Sequence, residues 1–275
     1  MGVGATTSDI TTMVNSTADK CAFACHDKSD PNNYYNLAKT LGVTTRIDVL
    51  RTATQQLMDT AKSTAAYTNQ FRMAIYTFGA AAEKPGLTKI QSLTSNLSTA
   101  KTSASAIDLM TVPYQNYAGD TDTNFPDVLK DIKDEIPKPG DGSSSKKRLK
   151  YLFFVSDGVG DRVNGSPGCS RPVTTSGDPQ TGKNYVRCQE PIDPSWCEDI
   201  KKDGTKIAVL YTTYLPLPTN GWYNSWIKPF EDQIASKMQS CASSGLYFEV
   251  GPNQGIPEAM NALFQKAVAM ARLTK

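Results

Sequence analysis

Four short, almost wholly apolar runs constrain this chain more than any other feature. They are Phe71–Phe78 (FRMAIYTF), Lys150–Val155 (KYLFFV), Lys206–Thr213 (KIAVLYTT) and Leu246–Val250 (LYFEV). Runs of this length without polar alternation read as strands buried on both faces. Segments of helical period separate them. In RIDVLRTATQQLMDTA, the residues Ile47, Leu50, Leu57, Met58 and Ala61 share one face. In NFPDVLKDI, Phe125, Val128, Leu129 and Ile132 do the same, with Pro126 in the first turn, where proline is tolerated. The last helix begins at Pro257 and stacks Met260, Leu263, Phe264, Ala267 and Met270 or Ala271. Strands alternating with helices predict an α/β fold with a mostly parallel central sheet flanked by helices.

Composition narrows the function classes. Lys+Arg is 29 and Asp+Glu is 27, a net charge of +2, which gives no general electrostatic reason to expect nucleic-acid or acidic-membrane binding. The single histidine, His26, excludes sites that need two histidines from this chain. No apolar run reaches the length of a membrane span. The opening MGVGATTSDITTMV lacks the basic and apolar regions of a signal peptide. Six cysteines, Cys21, Cys25, Cys169, Cys188, Cys197 and Cys241, imply up to three disulfides in an exported protein and metal or redox chemistry in a cytosolic one.

Two stretches fall outside the core pattern. Pro137–Lys150 (PKPGDGSSSKKRLK) reads as a polar loop ending in a basic cluster, either a solvated turn or a docking patch. Residues 158–196 are rich in Gly, Pro, Ser and Thr, and read as an irregular insertion in a single domain spanning 1–275. A Cys169–Cys188 bridge would pin that insertion, at ~3 kcal/mol on the chain-entropy model.

Ligands of open α/β sheets bind beyond the carboxyl ends of the strands. There the run YLFFV leads into Ser156-Asp157-Gly158, and the loop Gly119-Asp120-Thr121-Asp122-Thr123-Asn124 opens the Phe125–Ile132 helix. Hydroxyl and carboxylate oxygens so placed suit Mg²⁺, Mn²⁺ or Ca²⁺. The competing reading makes Asp122 or Thr123 a helix N-cap and Asp157 a turn cap.

These elements in this order resemble a von Willebrand factor A-type (VWA) domain: an amphipathic helix (RIDVLRTATQQLM), a strand ending in TFG, a threonine loop before a helix (TDTNF) and a strand ending in SDG. The segments CAFACH, YYNLAKTLGVTTRIDVLR, IAVLYTTYLPLP, WYNSW and CASSGLYFEV are similar to the C-terminal VWA region of TadG-like proteins of Tad/Flp pilus assembly. The resemblance implies a three-layer VWA fold with a disulfide-pinned insertion. It also implies a non-enzymatic role in binding pilus-assembly or cell-envelope partners, and a periplasmic location with an inner-membrane anchor in the full-length protein. In the family's metal-ion-dependent adhesion site, Thr123 matches the threonine and Asp157 the later aspartate. The D-x-S-x-S element has no match; Asp9-Ile10-Thr11-Thr12-Met13 is the nearest substitute and follows no apolar strand. The resemblance therefore places Met1 just after that element, with the first strand encoded upstream. Two oxygen side chains make a weak site for Mg²⁺ or another divalent cation, and a missing central strand leaves two neighbouring strands with open edges.

Six cysteines allow 15 pairings. The expected set is Cys21–Cys25, Cys169–Cys188 and Cys197–Cys241, with Cys188–Cys197 as the rival; the periplasmic location implied by the resemblance supports the first. Two other function classes stay open. One is a c-type haem electron carrier on Cys21, Cys25 and His26, whose cysteine spacing is one residue longer than Cys-x-x-Cys-His; a zinc site on the same residues would need a further cysteine. The other is a divalent-metal hydrolase built on Asp120, Asp122, Asp157 and Asp161. The aromatic group Trp222, Tyr223, Trp226 and Phe230 reads either as a partner surface or as a satellite core under a long loop.

Overall fold

Residues 27–28, 34–79, 81–251 and 255–273 are described by a computed structural model. Cys21, Cys25, His26 and the Asp9–Met13 stretch lie outside them. The described residues fall into two compact units, the first ending at Asp120 and taking in Ser176–Tyr185, the second made of Thr121–Thr175 and the described residues from Val186 onward.

The first unit contains α1 (Tyr34–Thr40), α2 (Arg46–Thr64), β1 (Met73–Thr77), β2 (Thr88–Thr94) and α3 (Leu97–Ser103). A capping box starts α2: the Thr45 N–H and hydroxyl donate to Asp48 at 2.8 and 2.6 Å. The helix buries Ala53, Leu57, Met58 and Ala61, while Leu50 stays half-buried. Met58 joins Ile75, Ala100, Ala104 and Ile107 in one core, with Ile47, Met73, Ile90 and Leu97 at its margin. The apolar strand β1 does not join a parallel sheet. It pairs antiparallel with β2, Met73 opposite Thr94 and Thr77 opposite Thr88. The sequence of β2, TKIQSLT, shows no apolar run because the strand is only half-buried.

A hairpin tip completes this unit. Pro179 and Gly182 (φ +68°) shape the turn Asp178-Pro179-Gln180-Thr181-Gly182, which is closed by Gly182 N–H to Asp178 C=O at 2.9 Å and Asp178 N–H to Lys183 C=O at 2.8 Å. The Asp178 carboxylate accepts the Gln180 and Thr181 amides at 2.9 Å each, and also the Ala118 amide and the Tyr114 hydroxyl at 3.1 Å. Those last two contacts hold a left-handed run through Asn116, Ala118, Gly119 and Asp120, at φ of 61°, 48°, 71° and 55°. Gly119 is required there: a Cβ would stand 3.0 Å from the Cβ of Tyr185.

The second unit contains α4 (Phe125–Glu135), β3 (Tyr151–Ser156), β4 (Val159–Val163), α5 (Pro194–Lys202), β7 (Lys206–Thr212), α6 (Glu231–Cys241), β8 (Tyr247–Val250) and α7 (Ile256–Leu273). It also contains the base of the hairpin formed by β5 (Thr174–Gly177) and β6 (Asn184–Pro191). A parallel sheet runs in the order β3-β7-β8, with Phe154 opposite Val209 and Leu210 opposite Phe248. Its central strand is the most deeply buried, Ile207–Leu210 being at most 1% exposed. Consecutive residues of β3 point to opposite faces. Phe153 meets Phe264 of α7 at 6.2 Å, and Phe154 meets Phe125 of α4 edge-on at 6.0 Å. Helices therefore cover both faces. On the α4 side, α5 packs between α4 and α6. All four apolar residues expected to face inward on α4 are buried.

Among the described residues two disulfides are present, Cys169–Cys188 and Cys197–Cys241, the second tying α5 to α6. Residues 158–196, irregular by composition, form three strands ordered β4-β6-β5. They escape an apolar pattern because polar residues fill their interior: Arg162, Arg187, Gln189 and Glu190 are all buried. The basic loop 137–150 folds back on itself, with Gly140 N–H on Arg148 C=O at 2.8 Å. Among the described residues, no helix is long and apolar enough to cross a membrane.

Candidate functional site

The strand β3 delivers Ser156, Asp157 and Gly158 to its carboxyl end. The turn is tight: the Gly158 amide donates to the Ser156 hydroxyl at 3.0 Å, and the Val159 amide donates to the Asp157 carboxylate at 3.2 Å. Asp157 thus caps a turn, as the simpler reading allows. Gly158 adopts φ +77° and its carbonyl accepts the Ile192 amide at 3.0 Å. Thr123 is drawn to the strand that leaves this turn. Its amide donates to Asp161 C=O at 2.6 Å, and the Asp161 amide returns a bond to Thr123 C=O at 2.9 Å. The N-cap of α4 is neither Asp122 nor Thr123 but Asn124, whose side chain accepts the Asp127 amide at 3.3 Å. Asp157 therefore lies in the β3–β4 turn and Thr123 pairs with the middle of β4, while Asp120 belongs to the left-handed turn of the first unit.

Asp161 is the centre of this region, in a role other than metal ligation. Its carboxylate accepts Arg187 Nε at 2.8 Å and Gln189 Nε2 at 2.7 Å, and it forms an ion pair with the Arg187 guanidinium. The Gln189 carbonyl oxygen accepts the Trp222 indole N–H at 2.8 Å, and the Arg187 guanidinium lies 4.6 Å from the Trp222 ring centroid. The antiparallel register places Asp161 opposite Gln189 and Arg162 opposite Cys188. Arg187 and Gln189 thus face Asp161 on one side of the sheet. On the other side, Glu190 pairs with Arg162 at 2.7 Å and accepts the Ser170 amide and hydroxyl. Arg187 and Gln189 belong to no motif singled out in the sequence, where Trp222 stands only as one of the aromatic group. The readable signal is charge complementarity between Asp161-Arg162 and the alternation Arg187-Cys188-Gln189-Glu190.

The aromatic group divides between core and surface. Tyr223 and Phe230 are buried, and Trp222 and Trp226 are half-buried and lie 5.8 Å apart. Tyr223 stacks on Tyr214 at 6.3 Å and donates its hydroxyl to Glu231 at 2.5 Å. Burial first, and then the Glu231 carboxylate, push the Tyr223 phenol up to about 12. Burial also raises Tyr214, with Asp157, Asp161, Tyr223 and Glu231 adding to it. The end of the sheet is accordingly a face of neutral phenols among carboxylates.

Protein groups alone do not fill the shell of a divalent cation here: Mg²⁺ and Ca²⁺ take six or more oxygens, waters among them, whereas the β3–β4 turn and the strand after it offer the Ser156 hydroxyl and the Asp157 carboxylate, with Thr123 as the further candidate. Asp161, the further acid named for a hydrolase, is engaged by Arg187 and Gln189. Among the described residues, Cys169, Cys188 and Glu190 form a convergent group of metal-ligand types, but the sulfurs are bonded to each other and the carboxylate is held by Arg162 and Ser170. A cavity of about 240 Å³ lies beside the first turn of α4, lined by Asn124, Asp127 and Arg162 among others.

No family model matches this chain, and no curated protein matches it in sequence. Solved structures do match its fold. The chain is similar to the pilus adhesin SpaC from Lactobacillus rhamnosus GG, with a TM-score of 0.53 and 16% identity, over 83% of this chain and 28% of that one. It is also similar to the vWF domain of the type V pili tip protein Mfa5 from Porphyromonas gingivalis, with a TM-score of 0.51 and 10% identity, over 86% of this chain and 90% of that one. The chain thus spans about 28% of the length of SpaC and most of the Mfa5 domain. At these identities the likeness is one of fold: a mixed α/β, VWA-type domain with a parallel sheet and flanking helices.

Proposed function

We propose that this chain is the VWA-type interaction module of a TadG-like protein of Tad/Flp pilus assembly. It binds pilus or cell-envelope proteins and catalyses no reaction. It works in the periplasm, with attachment to the inner membrane through a segment other than these residues. Thr123 and Asp157 belong to the binding face, and no step runs through a metal ion. The observation that supports this reading is that Asp157 lies in the turn after β3, at the carboxyl end of the parallel sheet where α/β folds present their ligand-binding loops, and that the Thr123 backbone pairs with Asp161 on the strand leaving that turn. The pilus proteins among the fold relatives support it. The test is surface plasmon resonance of the chain over immobilised, purified Flp pili. Binding is expected, weakened at least ~10-fold by Asp157→Ala, the range of a lost charged contact. Absence of binding, or equal binding by folded Asp157→Ala and Thr123→Ala, overturns the reading.

A further inference from the structure

Two features of the second unit, the Thr123 loop and the Trp222–Trp226 segment, are far apart in sequence. Both end on the same residue. Asp161 uses its backbone for one and its carboxylate for the other: two peptide hydrogen bonds to Thr123, at 2.6 and 2.9 Å, and side-chain bonds to Arg187 and Gln189. Gln189 and Arg187 in turn hold Trp222, by the 2.8 Å indole bond and by the guanidinium at 4.6 Å. Arg187 and Gln189 are 7% and 4% exposed, so water does not compete freely for these bonds. A buried, closed arrangement of this kind behaves as a unit, because each bond orients the donor of the next.

We propose that Asp161 is the positioning residue of this face, fixing the Thr123 loop and the Trp222 indole together as one preformed surface. Its carboxylate is neutralised by Arg187 and gives its lone pairs to orientation. Trp222 is held at both its N–H and its ring, so that its neighbour Trp226 rests on a fixed support at 5.8 Å. The two tryptophans are half-buried on the π-helical turn Tyr223–Ile227 and its approach, while Tyr223 and Ile227 are buried. The binding role of this surface rests on the functional reading above; the positioning is tested without a partner.

The experiment is amide and indole hydrogen exchange by NMR on the whole chain. In Trp222→Phe, which keeps an aromatic ring and deletes the indole N–H, exchange of the Thr123 amide rises roughly three- to tenfold, the size of one lost neutral hydrogen bond. In Asp161→Asn it rises roughly ten- to hundredfold, and the Trp222 indole N–H accelerates with it. The Val209 amide in β7 is unchanged in both. A purely local packing role for Trp222 would leave Thr123 untouched, and that result overturns the proposal. Trp222→Phe is mild enough to fold if Asp161→Asn does not. Loss of pilus binding in Asp157→Ala without coupled exchange removes the positioning role and leaves the binding face. Coupled exchange with unaltered pilus binding in Asp157→Ala does the reverse.

Discussion

Replacing Gly158 by alanine should destabilise the second unit by roughly 2–5 kcal/mol, from two causes that can be separated. The first is the backbone. Gly158 sits at φ +77°, where an L side chain costs about 1–2 kcal/mol. The second is space. A Cβ there would lie 2.8 Å from Ile234 Cγ2 and 2.8 Å from Met238 Cγ, and both side chains are fully buried on α6 with no solvent to swing into. Overpacking of this kind costs about 1–3 kcal/mol. Urea unfolding followed by far-UV circular dichroism reads the sum; with a slope of about 2–3 kcal/mol per molar, the midpoint falls by about 1–2 M. Met238→Ala removes one of the two clashes and none of the backbone term. In the double variant the added cost of alanine at 158 shrinks, to no less than about 1–2 kcal/mol. A loss below ~1 kcal/mol in Gly158→Ala refutes the backbone argument. A loss that is unchanged when Met238 is shortened refutes the packing argument. Because Asp157 precedes this glycine, pilus binding should fall with it.

Acid should loosen the first unit through Asp178. Desolvation opposes ionisation of this carboxylate, but hydrogen bonds from the Thr181, Ala118 and Gln180 amides and the Tyr114 hydroxyl outweigh it and pull it down to about 2. A depressed carboxylate contributes stability that is full above the unfolded value of about 4 and lost as pH falls toward the folded one. Tyrosine fluorescence between pH 4 and pH 2 should show this loss, and Asp178→Asn should reduce that pH dependence, leaving the part due to Asp48 and Asp108, which are also held below the usual carboxylate range. Cys197→Ser with Cys241→Ser should cost about 4 kcal/mol on the chain-entropy model for a 44-residue separation, measured by thermal unfolding. Arg162→Ala should cost about 3–5 kcal/mol, because it strands the buried Glu190 charge. Arg162→Met with Glu190→Leu should cost less than Arg162→Ala alone, since neither partner is then left charged.

The strands β3, β7 and β8 were legible because burial on both faces leaves an unbroken apolar run. The strands β4 and β6 were not, because their interior is Asp161, Arg162, Arg187, Gln189 and Glu190, residues whose burial makes sense only once the partner strand is known. Hydrophobic periodicity does not register a polar pairing 26 residues away; only the complementary charges of the two strands hint at it. The same limit separates the site residues. Thr123 and Asp157 were visible from their local settings, a loop before a helix and an acid after a strand. Asp161 looked like a fourth acid beside Asp120, Asp122 and Asp157, and its bonds depend on Arg187 and Gln189 from another strand. The cap of α4 was misplaced by one or two residues for a smaller reason: Thr123 spends its backbone on β4, which leaves Asn124 to cap.

The chain leaves the first unit after Asp120 and returns to it for Ser176–Tyr185. On a ribosome, that return has a temporal meaning. The left-handed turn at Asn116–Asp120 emerges long before Asp178, the acid that satisfies its amide at Ala118. At about 5–20 residues per second, residues 121–185 take roughly 3–13 s to appear. Through that interval the nascent first unit lacks the clasp that holds its end. Translation order and closing order therefore cannot coincide: the first unit is made ahead of the second and yet is completed only after part of the second has appeared.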